Sequence, residues 1–321
     1  MNKPIAHPWW DAFCVASIVG IWPRYCEPRM LTTNYVTLKI KDLPSALQGL
    51  KILQFSDLHL NPSQSDKFLE KVKRKAEKFA PDIAVFTGDF ICQSKLDPAT
   101  ANKLLHFLTT FPRGRYGSFA ILGNHDYAEF VSVNSSEEYS VTPPTATPFM
   151  KGLKRAFSRT LTPKAMQRTV HDVPLHQELL ALLSQTPFRL LHNACATVPI
   201  QGSALNIAGL GEYMLGRFDP ENAFKLWDYN YPGIVLAHNP DCVPHLTNFP
   251  GAVILAGHTH GAQINVPLVR KRFLCMENPQ YKQGMIHVSD KWLYVNRGLG
   301  ALMPFRWFAP PELLCLTLVP A

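Results

Sequence analysis

Apolar and polar residues alternate through NYVTLKIKDLP (34–44), a pattern that predicts an edge-type β-strand. LKILQFSDLHL (50–60) reads as a buried strand whose polar residues gather at its end. In DKFLEKVKRKAEKFA (66–80), Phe68, Leu69, Val72, Ala76 and Phe79 return at helical spacing, with lysines on the solvent side. PDIAVFTGDF (81–90) is a second buried strand, ANKLLHFLTTF (101–111) a helix, and GSFAILGNHD (117–126) a third strand with a polar end. This alternation predicts an α/β fold with parallel pairing.

The second half changes character. RLLHNACATVPI (189–200), SALNIAGLG (203–211), GIVLAHNPD (233–241), AVILAGHTHG (252–261), GMIHVSDKWLYVNRGLG (284–300) and ELLCLTLVP (312–320) are strand-like with short connections. They predict a second, partly antiparallel sheet packed on the first. From about 130 to 173 the strand pattern lapses, and NSSEEYSVTPPTATP (134–148) reads as loop. Residues 149–168 then carry six Lys/Arg and no acid, with Met150, Leu153, Phe157 and Leu161 at helical spacing. That is a small basic amphipathic helix, suited either to an anionic membrane surface or to lidding a site.

Residues 1–34 are set apart as a hydrophobic, membrane-associating segment, leaving 35–321 as the main domain. The apolar run from Ala12 to Trp22 is flanked by Trp9, Trp10 and Trp22, as at membrane interfaces. It is shorter than the roughly 20 residues a spanning helix needs. Asp11 abuts the run and no small-residue cleavage site is evident, which argues against an export signal. The competing reading is a terminal helix docked on the protein's own core.

Net charge is +8, from 32 Lys+Arg against 24 Asp+Glu, so an anionic partner is indicated. No nucleic-acid-binding module accompanies it, and no nucleic-acid partner is expected. Seven scattered cysteines without a CxxC pair speak against a disulfide framework or a zinc-thiolate site, and fit a reducing compartment.

The chemistry sits at the strand ends, where open α/β sheets bind ligands. Asp57 and His59 close one strand, Asp89 the next, and Asn124, His125 and Asp126 the third. His238 closes a fourth, and His258 with His260 a fifth. Seven of these, Asp57, His59, Asp89, Asn124, His238, His258 and His260, form a nitrogen–oxygen set suited to Mn²⁺, Fe²⁺ or Zn²⁺. The set is too large for one ion and right for two divalent ions sharing a carboxylate, an arrangement that serves phosphoryl displacement. The two histidines of GHTH then serve different ions.

D-x-H, G-D, G-N-H-D, a lone H and G-H-x-H, in that order, resemble the calcineurin-like metallophosphoesterase superfamily over roughly residues 48–319. The resemblance implies a two-sheet mixed β sandwich flanked by helices. It implies that Asp57, His59 and His260 hold one ion, Asn124, His238 and His258 the other, and Asp89 bridges. His125 would act on the leaving oxygen, oriented by Asp126. Within the superfamily, YVNRGLGALMPFRWFAPPELLCLTL (294–318) is similar to a branch of bacterial membrane-linked phosphoesterases, and the whole chain to the calcineurin-like UDP-2,3-diacylglucosamine pyrophosphatase family of lipid A synthesis. That implies Mn²⁺ as the metal and a UDP-linked diacyl sugar as substrate, cut to UMP and a diacyl sugar 1-phosphate. It also implies residence on the cytoplasmic face of the inner membrane, peripheral or monotopic, with no obligate protein partner. The alternative substrate is another lipid diphosphate or a soluble phosphodiester or nucleotide. Arg297 and Arg217 are candidate phosphate contacts, with structural ion pairs as the competing reading. Phe305, Trp307 and Phe308 around Arg306 read as an acyl path or as core.

Overall fold

The computed structural model describes residues 8–92, 96–133, 139–141, 173–301, 303 and 305–321. The basic amphipathic helix expected over 149–168 lies outside the described residues. A helix α1 (Pro8–Ala16) continues as a wide π-type helix over Ser17–Cys26. The domain then begins with β1 (Thr32–Ile40), β2 (Lys51–Phe55), α2 (Asp66–Phe79), β3 (Ile83–Thr87), α3 (Pro98–Thr110) and β4 (Gly117–Ile121). β5 (Val131–Val133) and β6 (Tyr139–Val141) pair as a small antiparallel ribbon. After α4 (Gln177–Leu183) come β7 (Phe188–Leu190), β8 (Ala194–Ile200), β9 (Ser203–Gly209), α5 (Pro220–Phe224), β10 (Gly233–Leu236) and β11 (Val253–Ala256). The chain closes with α6 (Arg270–Phe273), β12 (Gly284–Val288), β13 (Lys291–Val295) and β14 (Glu312–Pro320).

Two six-stranded mixed sheets result, ordered β1-β14-β2-β3-β4-β7 and β12-β13-β11-β10-β9-β8. β2, β3, β4 and β7 are parallel, as are β9, β10, β11 and β13. The expectation that the later strands form their own sheet holds for β8 to β13 but not for β7 or β14. β7 extends the first sheet beside β4, and β14 runs antiparallel to β2 and parallel to β1. A strand's apolar pattern shows that it is buried, not which distant strand it pairs with.

The faces follow from alternation. Ile52, Ile83, Val85, Ile121 and Leu316 meet Ile207, Ile234, Leu236 and Leu255 between the sheets. On the outer face of the first sheet, Phe55, Phe86 and Leu53 pack under Val72 of α2, Leu104 and Phe107 of α3 and Leu179 of α4. Phe55 stacks on Phe111 with centroids 4.4 Å apart and meets Phe86 at 4.8 Å. Burying side chains of this size contributes about 1.5–3 kcal/mol each. With both faces covered, β2, β3 and β4 are mostly apolar inside the sheet, the buried Gln54 and Ser118 aside, and turn polar where they leave it. The start of α3 is set by Asp97, whose carboxylate accepts from the Thr100 amide at 3.0 Å, followed by Pro98.

α1 does not dock on the core. Trp9 is 88% exposed and Trp10 64%, and Phe13, Val15, Ile18 and Trp22 are also exposed. Burial begins at Pro23. Among the described residues no helix is long and apolar enough to cross a membrane.

Candidate metal centre

Parallel pairing within each sheet brings the carboxyl ends of β2, β3 and β4 to one edge of the sandwich, facing those of β10, β11 and β13. Gln54, buried in β2, ties the sheets just beneath that edge. Its amide nitrogen donates to Thr87 Oγ1 at 3.0 Å and to the Ala256 carbonyl of β11 at 2.9 Å.

The loops leaving these strands turn at once. Asp57, His59, Asp89, His258 and His260 all have positive φ, between 41° and 70°. This left-handed region is disfavoured for residues with a side chain and clusters at functional sites. Gly257 lets the β11 loop pass: a Cβ there would lie 2.0 Å from Ser56 Oγ and 2.4 Å from Asp57 Oδ2.

The side chains converge as two triads about one carboxylate. Asp57, His59 and His260 lie together: the Nε2 atoms of His59 and His260 are 3.0 Å apart, and Asp57 Oδ1 is 3.9 and 3.6 Å from them. In the second group, Asn124 Oδ1 lies 2.9 Å from His258 Nδ1 and 3.2 Å from His238 Nε2. Asp89 Oδ2 stands between, 3.4 Å from His59 Nε2 and 3.2 Å from His238 Nε2. His125 is close by, its ring edge-on to His59 at 4.9 Å, and its main-chain amide donates to Asp89 Oδ1 at 2.8 Å.

Burial sets the electrostatics. It pulls the His59 and His258 imidazoles down to about 3, and lowers His125 and His260 as well. Neutral imidazoles with free lone pairs are the form that binds metal. Burial also pushes Asp57 up to about 7, against the pull of His238. Burial opposes ionisation of Asp89 and His238, but each is the other's counter-charge, so Asp89 is held well below and His238 well above its ordinary value.

The donor set fits divalent cations. His238 Nδ1 donates to the Thr87 carbonyl at 2.7 Å, which leaves Nε2 facing the Asp89 and Asn124 oxygens. A neutral ring would there set a lone pair against two oxygens, so either the proton that Asp89 favours on Nε2 or a metal ion in its place must lie between them. Carboxylate, imidazole and amide oxygen without thiolate make an intermediate set. Acid and imidazole ligand atoms in each of three groups, Asp57/His59/His260, His59/Asp89/His125 and Asp89/His238/His258, lie within 4.8 Å of one another.

Asp126 sits differently from expectation, and both candidate arginines are engaged within the protein. Asp126 does not reach the His125 ring: its oxygens accept the amides of Asp89 and Phe90 at 2.7 Å, Gly123 at 2.8 Å and Ile91 at 3.4 Å. It fastens the β3 loop to the β4 loop, and orients His125 only through the main chain. The Arg297 guanidinium is engaged by Glu312, with Nε and Nη2 each 2.6 Å from Oε2, and by Thr32 at 3.0 Å. The ion-pair reading therefore holds for Arg297. Arg217 donates through Nη2 to the Val173 carbonyl at 2.9 Å, and among the described residues it makes no ion pair. Phe305 and Trp307 are half-buried and Phe308 is exposed. Sequence reasoning missed Arg306, which is fully buried beside His260, and Glu212, whose burial pushes it up to about 7. A charge inside an aromatic run was the only signal of the first, and nothing marked the second.

A family model for calcineurin-like phosphoesterases matches residues 50–262. The UDP-2,3-diacylglucosamine pyrophosphatase LpxG of Chlamydia muridarum is 39% identical over 309 residues, covering 92% of this chain and 92% of the relative. The protein of the same name from Chlamydia trachomatis serovar D is 38% identical over 319 residues, covering 93% and 92%. The uncharacterized metallophosphoesterase YkuE of Bacillus subtilis is 29% identical over 299 residues, covering 92% and 88%.

Proposed function

The chain belongs to the calcineurin-like phosphoesterase family, and we propose that it is a dinuclear hydrolase that cuts the diphosphate of UDP-2,3-diacylglucosamine into UMP and 2,3-diacylglucosamine 1-phosphate. The observation that carries the chemistry is Asp89, within 3.4 Å of a histidine from each of the two triads. The substrate rests on similarity along nearly the whole chain to relatives bearing that activity in their names.

Two divalent ions, Mn²⁺ in this reading, supply positive charge for the attacking water and for the phosphate oxygens of an in-line displacement. Asp57, His59 and His260 would hold one, and Asn124, His238 and His258 the other, with Asp89 available to both. A water oxygen bonds to the uridine-side phosphorus, and the bond from that phosphorus to the bridging oxygen breaks. His125, kept neutral by burial, offers a ring N–H to the departing oxygen as negative charge builds there. Asp126, through four main-chain amides, keeps Asp89 and His125 in register.

Residues 1–34 serve as the membrane-associating segment and 35–321 as the catalytic domain, in line with an amphiphilic substrate. Trp9, Trp10, Phe13 and Ile18 leave apolar surface exposed on the N-terminal segment, of the kind that marks interaction sites. A helix too short to span but rich in exposed tryptophan suits the plane of a lipid interface. Seven scattered cysteines without a CxxC pair are in keeping with a reducing, cytoplasmic face of the inner membrane in this reading. Replacing Trp9 and Trp10 together by alanine should weaken co-sedimentation with anionic vesicles by roughly tenfold or more, since each large apolar side chain contributes about 1.5–3 kcal/mol on full burial. Metal content should be unchanged; unaltered sedimentation would remove the segment from that role.

The deciding assay is incubation with Mn²⁺ and UDP-2,3-diacylglucosamine in detergent, with products weighed by mass spectrometry. UMP carrying heavy oxygen from labelled water is the expected result. Absence of turnover alongside brisk hydrolysis of an aryl phosphodiester would overturn the substrate and leave the metal chemistry standing.

A further inference from the structure

Arg306 heads the fully buried side chains of the described residues, and nothing in the reaction above uses it. The two terminal nitrogens of its guanidinium are engaged by main-chain carbonyls, while Nε is buried without a hydrogen-bond partner. Nη1 donates to Ala309 at 2.7 Å, and Nη2 to Arg297 at 2.9 Å, to Gly298 at 3.2 Å and to Gly300. The same Nη2 lies 3.4 Å from His260 Nδ1. The carbonyls it gathers belong to the loop that backs Asp57. There the Gly300 amide donates to the Asp57 carbonyl at 2.7 Å and the Leu299 amide to Ser56 at 2.9 Å. A Cβ on Gly298 would lie 2.6 Å from Asp57 Cβ. One guanidinium thus touches the ring of His260 and the support of Asp57, two of the three ligands of one triad.

The other side of Arg306 faces the N-terminal segment. Its main-chain amide donates to the Pro23 carbonyl at 2.8 Å. Three residues on, the Ala309 amide donates to Glu27 Oε1 at 2.6 Å, while Glu27 Oε2 accepts from Trp22 Nε1 at 3.1 Å. Glu27 and Pro23 are buried, unlike the aromatic residues before them. The segment after the exposed helix therefore grips the stretch from which Arg306 projects. Only a planar fork of five donors serves carbonyls on two sides at once; a lysine places its three donors on one atom.

We infer that Arg306 is a positioning residue for the Asp57/His59/His260 triad, and that Glu27 holds its loop, so that residues 22–29 form part of the frame of the metal centre. The inference rests on the two-ion reading. Groups behind metal ligands fix ligand orientation, and their loss is felt as metal affinity.

The test is calorimetric titration of Mn²⁺ into metal-free, full-length protein in detergent. Wild type should take up two ions. Arg306→Lys and Glu27→Ala should each weaken one of the two by roughly tenfold or more while the other stays within about threefold, the scale of lost support behind a ligand. Glu27 touches no candidate ligand, so its variant remains informative should Arg306→Lys fail to fold. Wild-type uptake of fewer than two ions would defeat the dinuclear reading itself. Two ions in wild type with unchanged isotherms in the variants would defeat the positioning role alone. Equal weakening of both ions, with a lower melting temperature of the metal-free variant, would reduce the frame to general stability and also overturn the inference.

Discussion

Asp89→Asn is expected to abolish turnover. The substitution changes almost no volume, so the fold around it should survive. It replaces a charged oxygen pair by one neutral oxygen and an amide that points hydrogens at its neighbours. Oδ2 now lies 3.4 Å from His59 Nε2 and 3.2 Å from His238 Nε2, while Oδ1 accepts the His125 amide at 2.8 Å. No other described carboxylate reaches both triads, and Asp57 stays within its own. The rate should fall by on the order of 10³-fold or more, the scale of losing a preorganised electrostatic group in a buried site. At least one ion should be lost, read by elemental analysis of the purified variant. Appreciable turnover with two ions retained would rule out a shared carboxylate.

His125→Ala should show the reverse split: both ions retained, with kcat lower by about 10²–10⁴-fold, the usual contribution of a positioned proton donor. The ring packs edge-on against His59 and tilted against Phe130, each at 4.9 Å. Its Nδ1 is buried without a hydrogen-bond partner. An imidazole so placed can present an N–H to substrate. Its ring is also near enough to His59 and Asp89 to ligate an ion, and the variant separates the two roles. If the ring serves the departing oxygen, the defect should shrink on a substrate whose leaving group needs no help, such as a nitrophenyl ester. If metal is lost with the ring, His125 is a ligand.

The candidate site was largely legible because of how its strands are buried. β2, β3, β4, β10 and β11 are covered on both faces, so apart from Gln54 and Ser118 each reads as an apolar run, and a cluster of polar residues announces where the chain leaves the sheet. Asp57, Asp89, Asn124, His238 and His258 stand at or just beyond those points. What was not legible depends on partners far along the chain. Nothing within ELLCLTLVP shows that it pairs with residues 32–40 on one side and 51–54 on the other. Arg297 looked available for phosphate because Glu312, fifteen residues on, carries no local sign of facing it. Asp126 adjoins His125 in sequence, yet its carboxylate turns to the main chain of a neighbouring loop. Arg306 was hidden by its aromatic neighbours, which suggested lipid or core instead of a buried cation collecting carbonyls.

The left-handed backbone at Asp57, His59, Asp89, His258 and His260 has an evolutionary consequence. A residue with a side chain in that region is less favourable than glycine by roughly 1–2 kcal/mol. At each of the five positions, then, a glycine would relax the turn while deleting a candidate metal ligand. Released from selection for hydrolysis, a copy of this chain would have five single substitutions open to it, each a step toward an easier backbone and away from activity.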